Sequence, residues 1–128
     1  SFNAEVTVPR SMFTPDYQRT LFRLSTTVND RTFRGWEKGE VLFLGARWVD
    51  KQDAPYVVCT YKFLVDPTVI YEALEVGEFD EFTKEGWHHL WFYFRDEVSN
   101  ANIVPVPYAA YIEQVYRYSD FGELGLGS

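Results

Sequence analysis

His88 and His89 are the only histidines in this chain of 128 residues, and they are adjacent. A pair of imidazoles is the usual start of a metal site or a general base. Adjacent residues on a strand, however, point to opposite faces, so the two cannot readily ligate one ion. Cys59 is the single cysteine. It rules out an internal disulfide and a cysteine metal cage, and its apolar neighbours make it a packing residue rather than a nucleophile. Gly-x-Ser-x-Gly is absent. Gly35 and Gly39 lack the Gly-Lys-Ser/Thr ending of a phosphate loop. Glu78 with Glu81 supplies two carboxylates for glycoside hydrolysis, but in a stretch that reads as a loop. The residues therefore predict no catalytic site, no metal and no cofactor, and the chain reads as a non-enzyme.

Aromatic residues are the remaining chemistry, at 19% of the chain. Trp36, Trp48, Trp87 and Trp91 could stack on sugar rings as a carbohydrate-binding platform, or could simply pack a core. The strand-like segment 87–95 puts Trp87, His89, Trp91 and Tyr93 on one face and His88, Leu90, Phe92 and Phe94 on the other. Segment 103–117 puts Val104, Val106, Tyr108, Ala110, Ile112, Gln114 and Tyr116 on one face and Pro107, Ala109, Tyr111, Glu113 and Val115 on the other. A half-exposed sheet alternates apolar with polar residues; these segments do not. Either they are covered on both sides within the chain, or another chain covers one side. Surplus aromatics are what protein interfaces enrich. Trp87, Trp91, Tyr93, Tyr108, Ile112 and Tyr116 are the candidate binding surface. Leu42, Leu44, Cys59, Tyr61, Phe63, Leu90, Phe92 and Phe94 are the expected core.

The elements that must position these residues follow from local signals. Residues 3–8 alternate and predict a strand ended by Pro9. Thr14-Pro15-Asp16 is a helix start, and Tyr17, Leu21, Leu24 and Val28 share one helical face, giving a helix over about 15–25. Residues 40–49 and 56–65 predict a hairpin of two long strands, with Gly45 as a bulge or a close-packing point. A short edge strand is expected within 68–76, and a loop or helical turn over 79–86. A turn-rich connection is expected over 96–102, before a last strand whose Pro105 and Pro107 confine its start to an edge or a bulge. Residues 120–128 read as a tail that docks or frays. The fold class is α+β, mainly β: an antiparallel sheet or sandwich with one short N-terminal helix, in one domain spanning 1–128.

Net charge is −7, from 19 acidic and 12 basic residues. The bases are scattered singly, which argues against nucleic-acid backbones and anionic membrane surfaces. No apolar run reaches the length of a membrane helix. The chain begins at Ser1 without Met, so it reads either as trimmed or as a piece excised from something longer.

Three segments carry a family resemblance. They are Phe33-Arg34-Gly35-Trp36-Glu37-Lys38-Gly39-Glu40-Val41-Leu42-Phe43-Leu44-Gly45-Ala46, Gly86-Trp87-His88-His89-Leu90-Trp91, and Tyr111-Ile112-Glu113-Gln114-Val115-Tyr116. They resemble the C-terminal domain of an uncharacterised protein family met in planctomycete and phage-like sequence sets. Residues 46–56 depart from it, with Arg47, Trp48 and Val49 where small and polar residues are expected. The resemblance brings no site residues. It implies one domain of a larger protein, located in a virion or otherwise in the cytoplasm. Together with the surplus aromatics it gives the expected function: a structural, oligomeric component of a phage virion (head–tail or tail), packing against copies of itself or other proteins. A carbohydrate-binding module is the alternative and a small hydrolase the third reading.

Overall fold

A computed structural model describes residues 1–71 and 81–127. The acidic stretch 72–80, with Glu78 and most of the expected edge strand, lies outside them. Strand β1 (Phe2–Pro9) leads to helix α1 (Pro15–Leu24), then to β2 (Thr27–Asn29), β3 (Val41–Asp50) and β4 (Tyr56–Val65). Short strands β5 (Val69–Tyr71) and β6 (Phe82–Lys84) precede the long pair β7 (His89–Ser99) and β8 (Asn102–Glu113). Strand β9 (Tyr118–Ser119) and a 3-10 helix (Phe121–Leu124) follow. The fold is mainly β with one α-helix among the described residues, as the sequence predicts. Segment 82–84 is a strand, not the expected loop or helical turn.

The main sheet has the order β1-β4-β3-β2-β9. Its pairs are antiparallel except β2 with β9. Alternate residues of β4, namely Val57, Cys59, Tyr61 and Phe63, are buried. They meet Leu21 and Leu24 of α1 and Phe121 and Leu124 of the 3-10 helix, so the C-terminal segment docks rather than frays. Thr14 caps α1, its hydroxyl accepting from the Tyr17 amide at 3.2 Å. Inside, Phe63 lies 5.3 Å from both Phe33 and Phe43, centroid to centroid.

Gly45 forms a bulge, as the sequence allows, at a φ of 122° that favours glycine. The extra residue reverses the alternation of β3: Phe43 faces the core before it, Ala46 and Trp48 after it. Leu44 is thereby turned out and exposed, which corrects its expected place in the core. Leu42 is buried, but on the opposite side of the strand from Phe43.

Two polar side chains tie the long 30–40 loop down. Buried Asn29 donates to the carbonyls of Arg31 (2.7 Å) and Glu37 (2.9 Å) and accepts from the Val41 amide (2.9 Å). Buried Glu40 accepts from the amides of Glu37 (2.6 Å) and Thr68 (2.5 Å), joining that loop to the segment that leads into β5.

Candidate protein interface

Among the described residues, strands β7 and β8 pair only with each other, in a two-stranded sheet separate from the main one. At roughly 3.3 Å per residue the pair makes an arm about 35 Å long. Its tip is the two-residue turn Asn100-Ala101, with φ of 50° and 64°. Two consecutive positive φ angles suit the right-handed twist of a hairpin. The expected turn-rich connection over 96–102 is therefore mostly strand, paired out to Ser99 and Asn102. Pro105 and Pro107 are accommodated because β8 has a free edge.

The arm is joined to the body at its root. The Trp87 amide donates to the Gly39 carbonyl at 3.0 Å, and its indole Nε1 donates to the Leu64 carbonyl at 3.3 Å. The Trp87 and Tyr116 rings meet edge-on at 6.1 Å. Tyr118 donates its hydroxyl proton to Glu85. The His88 Nε2 lies 2.9 Å from that hydroxyl and 3.0 Å from Glu85, so the three side chains meet at the root. Burial first, and then the Glu85 carboxylate, push the Tyr118 phenol up to about 12. His88 is thus a member of a hydrogen-bonded joint, and His89 packs edge-on against Trp91 at 4.5 Å on the arm itself.

The six predicted interface residues do not form one surface. Trp91 (49% exposed) and Tyr93 (52%) share a face of the arm with Tyr111 (53%), which the sequence placed on the opposite side of its strand. Tyr108 is also exposed, and its ring lies 6.4 Å from that of Tyr93. Ile112 pairs with Leu90 on the other face, while Trp87 and Tyr116 belong to the joint. The cause is a second bulge. Tyr93 pairs with Ala109 but Phe94 pairs with Pro107, so Tyr108 is an inserted residue. Between tip and bulge the sequence grouping holds; between bulge and root every β8 side chain changes face. Pro105 and Pro107 allowed a bulge in this strand, but a bulge at a tyrosine has no glycine to mark it, so the alternation did not place it.

The second face carries Leu90, Phe92, Phe94, Asp96 and Val98 of β7 against Ile112, Ala110, Pro107, Pro105 and Ile103 of β8. Near the root it is partly covered: Tyr71, stacked on Phe82 at 5.0 Å, meets Phe92 edge-on at 6.4 Å. Leu90 and Phe92 are half-buried there rather than core. Toward the tip nothing described covers it: Phe94 is exposed, Val98 is 79% exposed and Ile103 72%. The expectation that Phe94 is core is corrected, because β7 does not join the sheet of β3 and β4.

The Trp91 indole donates to the Glu113 carboxylate at 3.1 Å, and Arg95 bonds Glu97 at 3.0 Å. Each face of the arm thus mixes exposed aromatic or aliphatic side chains with charged ones, Arg95 and Glu97 on the first and Asp96 on the second. Comparison with protein-family models, curated proteins and solved structures finds no match.

Proposed function

We propose that this chain is a structural interaction domain of a multi-subunit assembly, and that it assembles through the β7–β8 arm. One observation carries the reading: an extended strand pair leaves Trp91, Tyr93, Phe94, Val98, Ile103, Tyr108 and Tyr111 exposed on its two faces. Monomeric proteins rarely leave so much contiguous apolar surface in water, and projecting aromatics anchor protein interfaces. A phage virion, at the head–tail joint or in the tail, is the assembly to which the family resemblance points. In that setting the partner is another virion protein or a further copy of this chain.

The test is a sedimentation series on the wild type and Trp91→Ala, beside thermal unfolding of both. Trp91→Ala should weaken association by about 2–4 kcal/mol, as a central interface aromatic does, and leave the melting temperature nearly unchanged. A wild type that stays monomeric, with a Trp91→Ala protein that unfolds, would return these residues to the core. A second reading is favoured by one feature, the common face of Trp91, Tyr93 and Tyr111, which could stack on pyranose rings. Tryptophan fluorescence that shifts on glycan addition to the monomer would support it.

A further inference from the structure

Taking the arm to be an interface, we infer that its partner is a second copy of this chain, and that the arm tip of one copy lies across the outer face of the main sheet of the next. The outer face is the side of the sheet away from α1. Its register gives three rows across β1, β4 and β3: Asn3, Lys62 and Gly45, then Glu5, Thr60 and Arg47, then Thr7, Val58 and Val49. Leu44 and Val49 are exposed apolar residues on it. Beside Leu44 a cleft of about 360 Å3 is lined by Asn3, Gly45 and Thr60, with Arg47 and Lys62 also in its walls. Neither cation has an ion-pair partner among the described residues. Against the single Glu5, they make this face locally basic in a chain of net charge −7.

The outer arm offers the complement. On its second face Asp96 sits between exposed Phe94 and Val98, opposite Pro105 and beside Ile103. Asp96 has no ion-pair partner among the described residues either, whereas its neighbour Glu97 is held by Arg95. A ridge carrying one free acid is thus matched by a mainly polar sheet face carrying two free bases. The signs are complementary, and both surfaces are exposed in the single chain. The two surfaces are different parts of the molecule, so the contact is head-to-tail and propagates into a ring or a filament.

Charge swapping on the whole chain tests the pairing, with self-association read by sedimentation equilibrium. Asp96→Lys alone, and Arg47→Glu with Lys62→Glu, should each weaken self-association about tenfold or more. Combining all three should recover most of the loss, since the attraction is restored with its signs exchanged. Melting temperatures should stay close to that of the wild type, because all three side chains are exposed. If the charge variants associate like the wild type while Trp91→Ala does not, the head-to-tail pairing is overturned and the arm remains an interface. A wild type that stays monomeric at every concentration overturns the pairing between copies. Unfolding of Trp91→Ala would, separately, count against the arm reading itself.

Discussion

At the scale of single residues, Phe63 and Phe94 mark the contrast between body and arm: one ring is sealed in the core and the other stands in solvent. Cys59, Tyr61 and Phe63 are buried as their alternation in β4 predicts. Phe63→Ala should cost about 3–5 kcal/mol in chemical denaturation, while Phe94→Ala, on an exposed ring, should change stability little. Equal losses for the two would show that the arm is packed on the body. Asn29, Glu40, Glu85 and Tyr118 escaped sequence reading because a polar residue in a loop carries no mark of what it will bond. Tyr118 offers a pH test. Its phenol ordinarily ionises near 10 and is raised to about 12 in the fold. The neutral form favoured by folding contributes stability below pH 10, and that contribution is lost as pH climbs toward 12. Melting temperature should therefore fall less steeply over that window in Tyr118→Phe than in the wild type. Tyr17 and Tyr61, also raised by burial first, are present in both proteins and leave the difference to Tyr118. Parallel curves would mean that the joint does not hold the phenol neutral.

Elements were read correctly where one local signal decides them. Thr14-Pro15-Asp16 starts α1, Gly45 makes a bulge, and the polar run before Pro55 closes the β3–β4 hairpin. They were misread where pairing decides. The very short β2 and β9 exist because partners are present, β3 for the one and β2 for the other, not because three or two residues prefer a strand. The arm's tip turn is Asn100-Ala101, not Asn-Gly, so the usual hairpin mark is missing. That turn gives a prediction of its own. Ala101 sits at a φ of 64°, where a Cβ costs about 1–2 kcal/mol. Ala101→Gly should relieve part of it, seen as slower hydrogen exchange along the arm; faster exchange would contradict the turn. The root behaves oppositely. A Cβ on Gly86 would lie 2.1 Å from the Gly39 carbonyl oxygen. Gly86→Ala should therefore destabilise by about 1–3 kcal/mol through overpacking, and unchanged melting would mean that the two loops do not touch.

For the whole molecule, the mainly β fold follows from alternation and turn chemistry, but the separation into a packed body and a projecting arm does not. Residues 90–94 look as apolar as strand 56–65, and among the described residues the lack of a second hydrogen-bonded neighbour is what distinguishes the arm from a central strand. The surplus of aromatics was the legible trace of that difference. It counts the apolar surface without saying which face holds it. Sequence reading therefore picked out Trp91, Tyr93 and Tyr108, which are exposed on the arm, but missed exposed Tyr111 across the register shift. Amide hydrogen exchange of the full chain, at a dilute and at an assembling concentration, locates the covered surface directly. Protection that rises with concentration within residues 89–113, and little in α1 or the β3–β4 loop, is the result this account predicts. Exchange in the arm that does not change with concentration, in a sample that sedimentation shows to be assembled, would contradict it.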